Sequence, residues 1–356
     1  MGDPSVSSVM DKQKQEKVKL VVWDLDNTIW EGVLLEDENV VLKEGIIDVI
    51  RTLDERGVLQ SIASKNDHQT AMEKLEEFGI HEYFLYPQIH WNSKSSSIQS
   101  IITSINIGAN TVAFVDDQMF ELEEVQFEHA EVRCIDAAQY LDIPDMEMMN
   151  PRFITEDSRL RRLMYKSDEI RNKAEEEFTG PKDDFLASLG MTFTISPLKG
   201  DDLQRAEELT VRTHQLNTTG YTYSYEDLEQ LSQSPNHKLL ITGLEDKYGA
   251  YGKIGLALLE MEEEYWTVKL LLMSCRVMSR GVGTILMNYI LEQAKEAGVK
   301  IRAEFKMTDR NRMMYLTYKF GGFKEIHQEE DLVIFEHDMS YIQKIPSYVE
   351  LNIINN

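Results

Sequence analysis

Apolar runs alternate with helical patterns over residues 18–145 of the chain. Residues 18–23, VKLVVW, end directly at Asp24, which is the pattern of a buried parallel strand. Residues 46–53 place apolar side chains at helical spacing before Gly57, and residues 58–63 form the next apolar run. Strands that alternate with helices in this way predict a doubly wound, parallel α/β sheet.

The alternation continues to the end of this region. The remaining predicted elements are a hairpin or flap over residues 30–45, strands over 83–86, 111–115 and 132–135, a loop over 87–93 and a helix from about Ser96. No segment between these elements is long enough for a large cap over the sheet.

The second half of the chain again contains strands and helices. Strands are predicted over residues 191–198, 238–242, 250–260, 266–275 and 301–305, and helices over 202–212 and 284–296. Because 356 residues exceed one ordinary core, we expect two domains. The predicted boundaries are a leader over 1–17, a first domain over 18–145, a helical linker over 146–182, a second domain over 183–345 and a tail over 346–356.

Composition restricts the partners and the location of the protein. A formal net charge of -25 argues against a nucleic-acid partner, because phosphate binding needs concentrated Lys and Arg. No apolar run reaches the length of a membrane span, and the N-terminus lacks the apolar region of a signal peptide. We therefore expect a cytoplasmic protein. Cys134 and Cys275 lie far apart in the sequence, so each is expected to be a free thiol.

One helical segment is basic although the chain as a whole is acidic. Its cations are Arg159, Arg161, Arg162, Lys166, Arg171 and Lys173. The segment is either a solvated helix face in the linker or a docking patch for an acidic protein.

Polar residues follow the predicted strands of the first domain. They are Asp24, Asp26, Ser64, Lys94, Asp116 and Asp117, with Thr28 and Asn66 beside them. The carboxyl ends of parallel strands meet at one edge of a sheet, so these side chains are expected to converge.

This set of residues fits phosphoryl transfer. A carboxylate can attack phosphorus to form an acyl phosphate, and a second carboxylate two residues later can act as the acid and base. Hard oxygen ligands for Mg²⁺ come from Asp24, the Asp26 carbonyl and a carboxylate of a later strand. Ser64 and Lys94 can hold the phosphoryl oxygens.

The first domain resembles the haloacid dehalogenase (HAD) superfamily of phosphotransferases. DLDNT at 24–28 resembles its first motif, Ser64 its second, Lys94 its third and FVDD at 114–117 its fourth. The resemblance implies that Asp24 is the nucleophile and Asp26 the acid and base. It also implies that the metal is held by Asp24, Asp26, Asp116 and Asp117, and that Ser64, Lys94, Thr28 and Asn66 contact the phosphate. A HAD-like domain without a large cap must have its site closed by something else.

The second domain resembles the α+β GNAT acyltransferase fold. RGVG at 280–283 follows a predicted strand and precedes a helix, which favours phosphate binding by Arg276, Arg280, Gly281 and Gly283. Residues 311–323 carry the Asn, Tyr and Gly-Gly-Phe of its last helix and strand. Met278 stands where GNAT enzymes usually place Arg or Gln, which argues against acetyl-CoA as the donor.

Three further residues are candidates for acyl chemistry. Cys275 ends an apolar strand, which is typical of a core thiol, but Arg276 and the following helix start would favour a nucleophilic thiolate. His214 and Asn217 lie in the polar segment 212–224 and could orient the acyl group or act on the thiol proton. Such a segment is more often a surface connection than a site. For His214, a role as an ordinary surface histidine is at least as well supported.

The combination of motifs resembles the FkbH-like glyceryl transferase/phosphatases of polyketide biosynthesis. It rests on DLDNTIWEG at 24–32, PQIHWNSKSSSI at 87–98, FVDD, the basic segment, the loop at 212–224 and SCRVMSRGVG at 274–283. This resemblance implies that the glyceryl group of 1,3-bisphosphoglycerate passes to the phosphopantetheine thiol of an acyl carrier protein with Mg²⁺-dependent loss of phosphate. Two alternatives stay open: a small-molecule phosphatase fused to an acetyl-CoA-dependent acetyltransferase, and a non-catalytic scaffold that binds the carrier.

Overall fold

A computed structural model describes residues 17–37 and 39–355 of the protein. The chain divides between Tyr165 and Lys166 into two compact units. Apart from Lys17, the predicted leader lies outside the described residues. Among the described residues, no helix is long and apolar enough to cross a membrane.

The first unit is built on a five-stranded parallel sheet in the order β5-β4-β1-β6-β7. A two-stranded ribbon, β2 with β3, follows β1. The strands are β1 (Leu20–Trp23), β2 (Trp30–Glu31), β3 (Val41–Leu42), β4 (Leu59–Ser64), β5 (Gln88–Ile89), β6 (Val112–Asp116) and β7 (Arg133–Asp136). The helices are α1 (Ile46–Glu55), α2 (His68–Glu77), α3 (Lys94–Ile105), α4 (Met119–Glu128) and α5 (Glu156–Arg159).

Strand β1 is buried on both faces because successive side chains alternate across the sheet. Val21 and Trp23 enter one apolar cluster, together with the inner face of α1. Leu20 and Val22 enter a second cluster, together with the inner face of α3. Helices therefore cover both faces, and the predicted doubly wound parallel fold is confirmed.

The edge of this sheet differs from the prediction. The predicted strand over 83–86 starts in a 3₁₀ turn, and only a single bridge joins Phe84 to Gln60. The edge strand is instead β5, inside the predicted loop over 87–93. Tyr86 has a φ of 48°, which breaks the extended backbone, and the strand begins only at Gln88. Helix α3 begins at Lys94, with Ser93 as its cap, rather than near Ser96.

The basic segment lies mainly in helix α6 (Arg161–Glu177), and its arginines are bound within the protein. Arg161 is buried and donates to the Gly57 carbonyl at 2.8 Å. The Arg162 Nε donates to Asp54 at 2.9 Å. In the second unit, Arg171 is fully buried and forms an ion pair with Asp246. These three guanidinium groups are bound within the protein. The segment is therefore not a fully solvated face, and a docking patch cannot include all six cations.

The second unit contains an eight-stranded mixed sheet in the order β13-β14-β12-β11-β10-β9-β8-β15. Its strands are β8 (Met191–Pro197), β9 (His237–Asp246), β10 (Gly249–Met261), β11 (Tyr265–Met273), β12 (Lys300–Lys306), β13 (Phe323–Glu329), β14 (Leu332–His337) and β15 (Val349–Ile353). Its helices are α7 (Lys182–Ser188), α8 (Leu203–Arg212), α9 (Tyr225–Gln233), α10 (Ile285–Ala297) and α11 (Arg312–Phe320). This is the α+β arrangement predicted for the second half. The segment predicted as a tail contains β15, which pairs in parallel with β8.

His337, at the end of β14, is a buried histidine in an aromatic cluster. Its ring packs against Phe323, and its Nδ1 accepts the Met339 amide at 3.0 Å. Burial lowers the pKa of His337 below its usual value. The unfolded chain therefore binds a proton more readily than the folded chain as the pH falls through about 6.5.

We expect this histidine to make the second unit less stable as the pH falls from about 7 toward 5. The contribution changes by at most about 1.4 kcal/mol per pH unit, the value for one proton. His337→Asn keeps an acceptor for the Met339 amide and should flatten the dependence, measured by urea unfolding at several pH values. An unchanged pH dependence in the variant would contradict this assignment.

Candidate active site

Three neighbouring strands bring the predicted polar residues of the first unit to one edge of the sheet. Strand β1 lies between β4 and β6 and leads into Asp24, while β4 ends in Ser64 and β6 in Asp116. The Asp24 amide donates to the Val115 carbonyl at 2.9 Å, which fixes the start of the Asp24 loop against β6. Asp24, Ser64 and Asp116 are all at least nine-tenths buried.

Lys94 occupies the centre of this site. Its Nζ pairs with Asp24 Oδ1, with Asp116 Oδ2 at 3.0 Å and with the Ala63 carbonyl at 2.8 Å. Burial alone would lower the pKa of Lys94, but the two carboxylates outweigh burial and raise the pKa above its usual value. The ammonium group is therefore charged. Lys94 is the first residue of α3, and the Ser93 cap fixes this helix start.

The acidic residues of the site form a suitable cluster for a hard cation. One carboxylate oxygen from each of Asp24, Asp116 and Asp117 lies within 4.8 Å of the others. Burial and the nearby Asp24 charge raise the pKa of Asp116 to about 6, and the same two causes raise the pKa of Asp117. Gathered anionic oxygens that repel one another fit Mg²⁺, which prefers oxygen ligands and would relieve the repulsion.

Asp26 is held apart from this cluster by three donors. Its Oδ1 accepts the Trp30 indole at 2.8 Å and the Leu34 amide at 3.0 Å, and its Oδ2 accepts the Asn66 side chain at 3.0 Å. Burial raises the pKa of Asp26, although the bonds from Leu34 and Trp30 oppose that rise. A carboxyl with a raised pKa can donate and accept a proton, which suits an acid and base. Metal binding through the Asp26 carbonyl stays a prediction.

The chain between Asp26 and the β2–β3 ribbon turns sharply. Asn27 has a φ of 54°, and its side chain accepts the Gly32 amide at 3.1 Å. This turn brings Trp30 and Leu34 back onto Asp26. Neither donor is predictable from the sequence, since no spacing rule links an indole or a flap amide to a carboxylate.

The two predicted hydroxyl groups are also in place. Thr28 is fully buried, and among the described residues its hydroxyl has no hydrogen-bond partner. Ser64 is 3% exposed and its carbonyl accepts the His90 amide at 3.0 Å. The Asn66 side chain donates to Asp26 and accepts the Asp67 amide, both at 3.0 Å. Binding of phosphate by Thr28, Ser64 and Asn66 stays a prediction.

Cys275 lies in the second unit, just past the end of β11 rather than within it. It begins a 3₁₀ turn over Cys275–Arg280 and is half-buried, with its Sγ 3.6 Å from the Gln215 side chain. The neighbouring Arg276 donates to the Tyr251 carbonyl at 2.7 Å. The other thiol, Cys134, is in the first unit, where burial and the Asp116 charge raise its pKa to about 11. Cys134 is therefore a poor nucleophile.

The Gly-rich turn after Cys275 is engaged by other parts of the second unit. Arg280 is buried and its guanidinium donates to Glu175 at 2.9 Å and to Asn172 at 3.1 Å. Gly281 has a φ of 71°, and a Cβ there would collide with the Tyr348 hydroxyl. A Cβ added at Gly283 would meet open space. Phosphate binding by Arg276, Arg280, Gly281 and Gly283 stays a prediction.

The polar segment 212–224 is partly interior. Strands β11 and β12 pair only through Tyr265–Val268 and then separate. Residues 216–218 bridge the gap: the Met273 amide donates to the Leu216 carbonyl at 2.9 Å, and the Lys306 amide donates to the Thr218 carbonyl at 3.0 Å. The prediction of a surface connection is therefore wrong for these residues, because backbone pairing with two strands satisfies their polar groups.

Asn217 and His214 have different places in this segment. The fully buried Asn217 side chain accepts the Thr219 and Gly220 amides at 3.1 and 2.9 Å. These contacts stabilise the turn of the segment. His214 is half-buried. Action of either residue on an acyl group stays a prediction.

Acetyl-CoA, which the GNAT resemblance implies, needs an accessible turn for its phosphates. Here Tyr348 covers Gly281, Arg280 is paired with Glu175, and residues 216–218 occupy the space between the separated strands. Binding of acetyl-CoA at this turn therefore stays a prediction.

Residues 3–134 match the family model described as haloacid dehalogenase-like hydrolase. The matched range includes the strands that lead to Asp24, Ser64 and Asp116. Together with the parallel sheet, this match supports a HAD-like fold for the first unit. The comparison with curated proteins gives no match.

Solved structures similar to the chain include phosphatase and acetyltransferase structures. The N-terminal part of a Bacteroides fragilis protein that contains a phosphatase domain, complexed with Mg, is 28% identical with a TM-score of 0.34, over 39% of this chain and 41% of that chain. The chain thus spans less than half the length of that structure. The ribosomal-protein-S18-alanine N-acetyltransferase from Escherichia coli is 17% identical with a TM-score of 0.34, over 43% and 97% of the two chains. An acetyltransferase of the GNAT family from Staphylococcus aureus is 11% identical with a TM-score of 0.33, over 42% and 100%.

Proposed function

We propose that the protein is a Mg²⁺-dependent glyceryl transferase/phosphatase that transfers the glyceryl group of 1,3-bisphosphoglycerate to the phosphopantetheine thiol of an acyl carrier protein and removes phosphate. The observation that carries the phosphoryl-transfer part is the convergence of Asp24, Asp116 and Asp117, with Lys94 paired to the first two. The glyceryl donor and the carrier rest on the resemblance in sequence motifs.

In the proposed phosphoryl transfer, Asp24 is the nucleophile. Its carboxylate attacks phosphorus, the bond from phosphorus to the ester oxygen breaks, and an aspartyl phosphate forms. Lys94 holds Asp24 in position and offsets the negative charge of the phosphoryl oxygens. Mg²⁺ held by Asp24, Asp116 and Asp117 would neutralise charge on the same oxygens.

Asp26 supplies and removes protons in this scheme. As the acid it protonates the leaving oxygen, and as the base it then takes a proton from the water that hydrolyses the aspartyl phosphate. The water oxygen forms a bond to phosphorus, inorganic phosphate leaves and the Asp24 carboxylate is restored. The Trp30, Leu34 and Asn66 donors fix the orientation of Asp26 for both roles.

Acyl transfer uses the activated carbonyl of the acyl phosphate. The Cys275 thiolate attacks this carbonyl, the bond from the carbonyl carbon to the phosphate oxygen breaks, inorganic phosphate leaves and a 3-phosphoglyceryl thioester forms. The carrier thiol then attacks the thioester and releases Cys275 as a thiolate. The remaining phosphate ester is the substrate for Asp24 and Asp26.

Intact-mass analysis after exposure to 1,3-bisphosphoglycerate tests this proposal. We expect a glyceryl adduct on the wild type that is lost in Cys275→Ala and retained in Cys134→Ala. Cys134→Ala is a matched control, since it removes the other thiol, whose raised pKa keeps it protonated. An adduct that persists in Cys275→Ala would move the acyl group to a different residue, and no adduct on any variant would contradict the thioester route.

The alternative of a phosphatase fused to an acetyl-CoA-dependent acetyltransferase predicts consumption of acetyl-CoA with an amine acceptor. The covered Gly281 turn and the paired Arg280 disfavour it. Phosphate release that depends on Mg²⁺ would exclude the third reading, a scaffold without catalysis.

A further inference from the structure

An ion pair at the edge of the candidate active site has no role in the mechanism above. The Lys65 Nζ lies 2.6 Å from Glu121 Oε1. Lys65 directly follows Ser64 at the end of β4, and Glu121 lies in the first turn of α4, after Asp116 and Asp117. The pair therefore connects the loop that carries the phosphate-binding candidate with the loop that carries the metal-binding candidates.

Both ends of this connection are fixed to residues of the site. On the β4 side, the neighbouring Asn66 donates to the Asp26 carboxylate at 3.0 Å. On the α4 side, the Gln118 amide donates to Asp116 Oδ1 at 2.8 Å, and the Glu121 amide donates to the Gln118 carbonyl at 3.0 Å. A movement of Lys65 relative to Glu121 would therefore change the separation between the two loops.

The environment of Glu121 makes this pair different from an ordinary surface pair. Its side chain is only 7% exposed, while that of Lys65 is 36% exposed. Among the described residues, its Oε2 has no hydrogen-bond partner and Lys65 is the sole ion-pair partner of the carboxylate. A buried carboxylate with one cation constrains that cation strongly, whereas exposed pairs contribute little.

We propose that Lys65 and Glu121 are positioning residues that set the separation between Ser64 and the Asp116–Asp117 loop. This inference rests on the proposed phosphoryl transfer at that site. Partners that orient metal ligands from outside the coordination sphere typically contribute about 10- to 100-fold to metal affinity or activity, and Glu121 reaches Asp116 through Gln118.

The test uses the full chain with p-nitrophenyl phosphate as the probe substrate. Lys65→Met, Glu121→Gln and the double variant are compared for kcat, KM and the Mg²⁺ concentration that gives half-maximal activity. Mg²⁺ affinity is measured separately by calorimetry, which does not require turnover. Lys74→Met is the matched control, because it breaks the Lys74–Glu77 pair of α2, whose carboxylate is exposed.

We expect each single variant to lower kcat and to weaken Mg²⁺ binding, by about 10- to 100-fold. The double variant should lose no more than the single variants, because the two residues act as a unit. Lys65→Arg should recover most of the loss, and Lys74→Met should match the wild type.

Wild-type kcat and Mg²⁺ affinity in Lys65→Met and Glu121→Gln would overturn the inference. The inference would also be overturned if the losses of kcat in the two single variants added up in the double variant. The same holds if the losses of activity were explained entirely by a lower melting temperature. Failure of the proposed function has a different signature: the wild type would release no more phosphate than Asp24→Asn. In that case the calorimetric Mg²⁺ affinity still decides whether the ion pair positions the metal-binding loop.

Discussion

Replacement of Asp24 by Asn is expected to lower Mg²⁺-dependent phosphate release by at least about a thousandfold, which corresponds to roughly 4 kcal/mol of activation free energy. An amide is not a nucleophile toward phosphorus, and it removes one of the gathered anionic oxygens. The fold should survive, because Lys94 keeps its bonds to Asp116 and to the Ala63 carbonyl.

Phosphate release and the melting temperature should be measured together for this variant. Asp48→Asn is the matched control, because Asp48 is an exposed carboxylate of α1 in the same unit. We expect the control to retain activity, and chelation of Mg²⁺ to reduce the wild type to the level of Asp24→Asn. An Asp24→Asn variant with full activity would overturn the assignment of the nucleophile.

Replacement of Arg171 by Met is expected to destabilise the second unit by about 3–5 kcal/mol. The fully buried guanidinium forms a bidentate pair with Asp246 at 2.8 and 2.9 Å, and it also donates to Asp168 at 2.8 Å. It lies 3.8 Å above the Tyr251 ring. Removal of the cation takes from Asp246 its ion-pair partner and from Asp168 one of its nearby cations, in a buried site.

Hydrogen exchange of the β9 and β10 amides measures this effect within the second unit. Lys173→Met provides the control, since Lys173 is an exposed cation two residues further along the same helix. Its expected change is within about 0.5 kcal/mol, as for ordinary surface substitutions. Equal exchange rates in Arg171→Met and Lys173→Met would mean that the buried network does not stabilise the unit.

The convergence of Asp24, Ser64 and Asp116 follows from the sequence because it depends on local signals. Each apolar run ends at or shortly before a polar residue, and parallel strands must place those ends at one edge of a sheet. Strand-like and helix-like patterns of apolar residues alternate along the chain, and this alternation predicts that the strands are parallel. These signals lie within a few residues of the side chains that they position.

The parts that the sequence did not predict depend on contacts between distant segments. Charged residues in a helix normally indicate an exposed face, but Arg171 is buried because Asp246 lies opposite it. The polar residues at 216–218 are interior because the ends of β11 and β12 supply their hydrogen bonds. The orientation of Asp26 depends on Trp30 and Leu34, which return to it only after the turn at Asn27.

The pairing of β15 with β8 has a consequence for the order in which the protein folds during synthesis. Strand β15 aligns Val349 with Met191, so this edge of the sheet cannot close until residues 349–353 have emerged from the ribosome. The last strand of the parallel sheet in the first unit ends at Asp136, and the unit itself ends at Tyr165. The first unit can thus fold early, while the second unit waits with an unpaired strand edge, and contacts of such large sequence separation form slowly. Nascent chains arrested before residue 349 should therefore carry a folded first unit and an incomplete second one.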